Sequence, residues 1–267
     1  VLAFIPNRTL AGVIRGHQVA QHLGREVNPP TDMDCTRIYI KQWPSPQWPE
    51  GSYLDVMDGL SLREPMMECP HIRMIAFTES SRNYLAKFFR REVAYIPQHH
   101  CNFERCRREP REIRVVGFIG SVTSLAFYRK YKLDYDVWTK AFADAGFEFR
   151  YKLINLNTNR QTVIDFYKQL DIQLYAQYTR FTFNRFKDQL KMINAGSFGI
   201  PSVAKQNAGD CTDYLHAESM EEMIAQCVRL RDNPSLYEDL SQKLVETAEP
   251  YHIDNIARYY LELEQRN

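Results

Sequence analysis

The sequence predicts an α/β protein of two successive parallel sheets, each covered by helices. Short apolar runs alternate with amphipathic stretches, the pattern left by parallel strands buried on both faces. The alternation breaks once, at 98–112, where QHHCNFERCRREPRE is polar, charged and aperiodic and reads as a linker. A chain of 267 residues with 44% hydrophobic composition is long enough for two modest domains with a core each.

Residues 2–5 make the first strand; VLAFIP is too short for a signal peptide, and no charged segment precedes it. Residues 14–23, IRGHQVAQHL, follow as a helix with Val19 and Leu23 on one face and Gly24 to end it. Strands are expected at 37–40, 53–57 and 73–77, with a proline-rich loop at 43–51 and Asp58-Gly59 closing the third strand. A helix over 80–89 leads to a fifth strand at 93–96, stopped by Pro97. After the linker, 115–119 is a strand that runs into a turn at Gly120-Ser121. A helix over 133–145 places Leu133, Val137, Ala141 and Phe142 on one side, and Gly146 ends it. Strands at 147–154 and 172–176 bracket a helix over 162–170. A helix over 184–197 feeds a buried strand at 200–204. Ser219-Met220-Glu221-Glu222 is a capping box, and Asn233-Pro234 is an N-cap followed by proline at the first helical position. A last amphipathic helix spans 252–264.

Composition excludes several classes. A net charge of +1 gives no overall basic field for nucleic acid, and no apolar run reaches the length of a membrane span. Six scattered cysteines suggest reduced, mostly buried thiols and a cytoplasmic setting. His99-His100-Cys101 with Cys106 lacks the partner ligands of a zinc site, so no metal is assigned. Two Asp-x-Asp triplets, at Asp32 to Asp34 and Asp134 to Asp136, read as incidental.

Open parallel sheets bind ligands at the carboxyl ends of their strands, and two sheets facing each other leave a cleft there. Three places could carry chemistry at such ends. The turn PNRTLAGV brings Gly12 to the first helix, with Arg15 and His17 close behind; glycine admits a ligand to the backbone, and histidine can act as a general base. The plain alternative is a turn and a polar helix residue. VVGFIGS ends in Gly120-Ser121, whose amides favour phosphate, with Lys130 near in sequence. Lys187, Lys191 and Asn194 lie at helical spacing along one edge. Lysines there neutralise a diphosphate and an asparagine amide can bond a ribose hydroxyl, unless the edge is only a surface stripe.

The run 184–214 resembles the signature segment of the GT-B glycosyltransferases. Ala195, Gly199, Pro201, Val203 and Ala204 match its A-x-x-x-G-x-P-[VS]-V-A pattern, and Asn207-Ala208-Gly209-Asp210 matches the glycine-containing loop after it. AFTESSRNYLAKFFRREVAYIP resembles the end of the first GT-B domain, RVVGFIGS the start of the second, and 219–260 the closing helices. The resemblance implies two Rossmann-like domains facing across a cleft: 1–107 on the acceptor side, 108–248 for the nucleotide sugar, and a C-terminal helix, 249–267, returning to the first. It implies a reduced first domain as well.

By the same resemblance, a nucleotide-diphosphate sugar is the substrate and no cofactor is needed. Its diphosphate meets Gly120, Ser121, Lys130, Lys187 and Lys191. Its ribose meets Asn194, its base the loop from Asn155, and its sugar the loop Asn207, Ala208 and Gly209. His17 is the candidate base, with Gly12, Arg15 and Asp58 on the acceptor side. Trp43, Trp48 and Tyr53 are candidates either for an acceptor groove or for core, with Tyr53 read as core. The acceptor is a glycan, a lipid-linked glycan or a small molecule, the last but one compatible with peripheral membrane contact. The paired glutamates of retaining members are replaced by Phe186 and Asn194, so retention or inversion stays open. A silent nucleotide-sugar binder or scaffold, and an epimerase or phosphotransferase on the same paired sheets, are the rival readings.

Overall fold

Apolar strand interiors set the architecture. The computed structural model describes residues 1–57, 63–121, 135–175, 189–204 and 213–265. They divide into two units: one holds 1–99 and the segment from Tyr251 onward, the other Gln189–Pro250 and the segment from His100 to the end of its third strand.

In the first unit, β1 (Leu2–Pro6), β2 (Glu26–Val27), β3 (Thr36–Ile40), β4 (Tyr53–Asp55), β5 (Arg73–Ala76) and β6 (Val93–Tyr95) form one sheet in the order β2-β1-β3-β4-β5-β6. Every pairing is parallel. A π-helix, Gly12–Gln18, runs into α1 (Val19–Leu23), which ends at Gly24 in the left-handed region (φ 61°). α2 (Arg63–Glu68) and α3 (Glu79–Phe89) follow, the latter capped by Thr78 and Ser81. One face of the sheet buries Leu2, Phe4, Ile38, Ile40 and Ile75 against Val19 and Ala20, and against Ile256, Tyr260 and Leu263. Those last three belong to the C-terminal helix Ile253–Gln265, so the expected return to the first domain is present.

In the second unit, β7 (Val115–Ser121), β8 (Glu148–Ile154), β9 (Ile172–Tyr175), β10 (Ser202–Ala204) and β11 (Leu215–His216) form a parallel sheet in the order β11-β10-β9-β7-β8. Its helices are α4 (Tyr135–Asp144), α5 (Arg160–Gln169), α6 (Leu190–Ser197), α7 (Met220–Asp232) and α8 (Pro234–Ala248); the C-terminal helix is α9. Asp171, fully buried, binds the amino ends of two strands together. Its Oδ2 accepts from the Arg114 and Val115 amides (2.8 and 2.6 Å), and its Oδ1 from Arg108 Nε and Arg111 Nε (2.9 and 2.8 Å).

Three expectations change. Gly120 and Ser121 are not a turn: β7 continues through them, pairing with Leu153 and Ile154. On α4 the inward residues are Trp138 and Phe142, one turn apart, while Val137 lies about 100° round the helix and is 50% exposed. The polar segment after β6 is not a solvated linker throughout, since Gln98, His99, His100 and Asn102 are buried. Their polar groups have partners distant in sequence. His99 Nε2 meets the Ile14 carbonyl (2.9 Å), and Asn102 Nδ2 donates to the Cys106 and Ser197 carbonyls (2.8 and 2.9 Å). The Asn102 Oδ1 accepts from the Cys106 amide (2.9 Å).

Candidate functional site

At the carboxyl end of the second sheet, Phe118 and Gly120 point to the same face of β7 because side chains alternate along a strand. A Cβ added at Gly120 would lie 3.6 Å from Lys191 Nζ and 2.6 Å from the Phe118 ring. The Lys191 ammonium sits over the Phe118 and Tyr175 rings, 5.1 and 5.3 Å from their centroids. Thus α6 brings a lysine to the glycine near the end of β7, and two aromatic faces flank it. Beyond Gly117, β7 pairs only on its β8 side among the described residues.

The backbone of Lys191 is in turn held from α5. The Tyr167 hydroxyl donates to the Lys191 carbonyl (3.3 Å) and also hydrogen-bonds with the Asn194 side chain; burial, above all, raises its pKa. Asn194 is buried, and its Oδ1 accepts from the Cys101 amide (2.8 Å). That oxygen therefore ties α6 to the segment that opens the unit. The neighbouring Cys101 thiol is pushed up to about 12 by burial.

The loop after β8 is an exposed Asx turn. Asn155 Oδ1 accepts from the Asn157 amide (2.9 Å), Thr158 Oγ1 from the Asn155 amide (3.0 Å), and Asn159 caps α5.

The first sheet has its own carboxyl-end arrangement. At Gly12 a Cβ would fall 2.1 Å from the Asn7 carbonyl oxygen, and at Gly16 2.7 Å from Pro6. Only glycine lets the π-helix lie this close to β1. π-Helical turns cluster at functional positions. Arg15, fully buried, binds Asp55 at the end of β4 through Nε and the Ile96 carbonyl through Nη2 (2.9 Å). Burial raises the Asp55 pKa and the adjoining guanidinium opposes it. His17, two residues on, is exposed.

Of the residues singled out from sequence, then, Gly120 and Lys191 come together in one unit, and Gly12, Arg15 and His17 on one helix in the other. Arg15 spends its charge on Asp55 in the core. Asp58, Lys130, Lys187, Asn207, Ala208 and Gly209 lie outside the described residues, as does the side chain of Ser121. Sequence reasoning passed over Phe118, Tyr175 and Tyr167. Phe118 was within reach, two residues before Gly120 and hence on its face. Among the described residues no group of three His, Cys, Asp or Glu is placed to hold a metal, the five cysteines are free thiols, and no helix is long and apolar enough to cross a membrane.

No family model and no curated protein matches the sequence. Solved structures do match. The glycosylation-associated protein complex Gap123 of Streptococcus agalactiae aligns with 96% of this chain and 57% of its own, at TM-score 0.57 and 11% identity. The pneumococcal O-GlcNAc transferase GtfA, solved with UDP and GlcNAc, aligns over 86% and 52%, at 0.55 and 11%. A variant of TarM from S. aureus, solved with fondaparinux, α-GlcNAc-glycerol and UDP, aligns over 87% and 51%, at 0.51 and 14%. The chain has the GT-B fold. It spans a little over half the length of these neighbours. At such identities the likeness concerns architecture: two parallel sheets, with the last helix returned to the first unit.

Proposed function

We propose that this GT-B chain moves a sugar from a nucleotide-diphosphate donor to an acceptor hydroxyl. The observation that carries the reading is Lys191 Nζ beside Gly120 at the carboxyl end of the second sheet, where open parallel sheets take their ligands. A side chain at Gly120 would collide with the Phe118 ring, so the glycine lets the ring and the lysine meet at the strand end, and the lysine supplies charge. One ammonium about 4 Å from a phosphate charge is worth roughly 4 kcal/mol at an effective dielectric of 20. That attraction grows as the leaving diphosphate gains charge in the transition state.

In this reading Lys130 and Lys187 add to the field, Ser121 and the Asn207–Gly209 loop contact the donor, and the turn from Asn155 meets the base. The leaving group is stabilised without a metal, and the chain works in the cytoplasm. His17, exposed on the π-helix, removes the acceptor proton; Gly12 and Asp58 shape the acceptor side. The acceptor is a glycan, a lipid-linked glycan or a small molecule.

Thermal melts with UDP, GDP and ADP test the donor site, because a ligand that binds the native state raises its melting temperature. One of these diphosphates should stabilise the wild type, and Lys191→Ala should lose that shift and about 10²–10³-fold in turnover. A Lys191→Ala protein that is stabilised equally would remove the basis of the reading. A second reading, a silent nucleotide-sugar binder, is favoured by one observation. The second glutamate position is Asn194, whose oxygen is taken by the Cys101 amide. Such a binder would show the melting shift and no transfer or hydrolysis across a panel of nucleotide sugars.

A further inference from the structure

The three aromatics near the first sheet have different fates. Tyr53 is core, 4% exposed. Trp48 is stacked flat on Tyr39, with ring centroids 3.6 Å apart and an interplanar angle of 5°. Trp43 is 63% exposed. Leaving a large apolar ring in water forgoes the stabilisation its burial would give. The loop around it is not loose. Lys41, just past β3, is in the left-handed region (φ 51°), and its carbonyl accepts from Asn7 Nδ2 (2.7 Å). Gln42 Nε2 donates to the Ile5 carbonyl (2.6 Å). The same Asn7 side chain accepts from Thr9 Oγ1 (2.5 Å), which accepts from the Gly12 amide (3.2 Å). One hydrogen-bonded path therefore fixes the base of Trp43 to the turn that starts the His17 helix.

We propose that Trp43 is a stacking platform for a saccharide ring of the acceptor at the carboxyl end of the first sheet. The proposal rests on the glycosyl-transfer reading and narrows its acceptor to a carbohydrate. The backbone that carries the indole is fixed on both sides of the turn, which lowers the ordering cost of binding, and the flat apolar face of an indole matches the C–H face of a pyranose. Asn7, Thr9 and Gln42 act as positioning residues, since they fix the backbone leading to Trp43 and need not touch the sugar.

Tryptophan fluorescence reads this site directly, because Trp138 is buried and Trp48 is stacked, leaving Trp43 as the water-exposed emitter. Maltotriose and chitotriose are the probes, and mannitol, which has no ring face, is the control. The expected result is a saturable blue shift with at least one trisaccharide and none with mannitol. Trp43→Ala abolishes the shift, and in a competition assay weakens the trisaccharide about tenfold. Trp43→Phe keeps part of the affinity, and the melting shift given by whichever nucleoside diphosphate stabilises the wild type is unchanged in both variants. No shift with either trisaccharide, or equal trisaccharide affinity in Trp43→Ala, overturns the proposal. A trisaccharide response at Trp43 in a protein that no nucleoside diphosphate stabilises would keep the platform and sink the transfer reading instead.

Discussion

Asn102 offers a quantitative test of the second unit. Its side chain is fully buried and bonds three backbone groups: the carbonyls of Cys106 and Ser197 and the amide of Cys106. Asn102→Ala removes all three at once. A buried polar group left without a partner costs about 1–3 kcal/mol, with the lower figure where water can reach it. Ser197 is buried and Cys106 half-buried, so about 2 kcal/mol for the first and about 1 for each Cys106 group gives roughly 4 kcal/mol. Typical domains have only about 5–15 kcal/mol to lose. With a urea slope of about 2 kcal/mol per molar, the midpoint should fall by roughly 2 M. Trp138, in the core of that unit, reports the transition cleanly in a Trp43→Phe/Trp48→Phe background. Asn102→Asp retains the acceptor oxygen but loses both donors and buries a charge, so at neutral pH it should be no milder. Asn155→Ala, on an exposed turn, should move the midpoint little. A drop below roughly 0.5 M for Asn102→Ala would mean that the fold does not depend on this side chain, and the reasoning fails.

Arg15→Met should cost about 3–5 kcal/mol because it leaves Asp55 buried and uncompensated, while Arg15→Met with Asp55→Leu should regain most of it; thermal melts compare the two. Asp213, whose pKa is lowered chiefly by its bond to Lys243, contributes stability that is present above the unfolded value near 3.9 and lost as pH falls through the lower folded value. Removing the partner in Lys243→Ala should therefore lower the urea midpoint at pH 7 more than at pH 2.5, and an equal loss at both would refute the linkage.

How far the sequence reaches depends on the range of the interactions. Gly24, Ser219 and Asn233-Pro234 act within one helical turn: Gly24 is in the left-handed region, Ser219 accepts from the Glu222 amide and Asn233 from the Leu236 amide, while the box expected at Ser219 is half made, since the Glu222 carboxylate accepts from the Glu218 amide instead. The apolar runs of β1, β3, β5 and β9 were readable because strands buried on both faces need no partner pattern beyond their own composition. The segment from Gln98 to Cys106 was not. Its polar residues look solvated until Ile14, Asn194 and Ser197 arrive from 85 to 95 positions away. Gly120 and Lys191 could be named from motif, but their juxtaposition depends on how α6 packs. Asn194, on the other hand, was picked for its chemistry, and its oxygen bonds backbone. β2 and β11 have two residues each, too few to leave a period.

The carboxylate of Asp171 governs more than local packing. A strand displaced by a single position presents its opposite face throughout. Six steps of β7 separate Val115 at the fastened end from Ser121, about 20 Å at the usual rise. Slippage at Arg114 or Val115 would thus rotate the glycine away from the lysine at the far tip. The placing of Gly120 against Lys191 is decided remotely, by an acidic group at the opposite end of the strand.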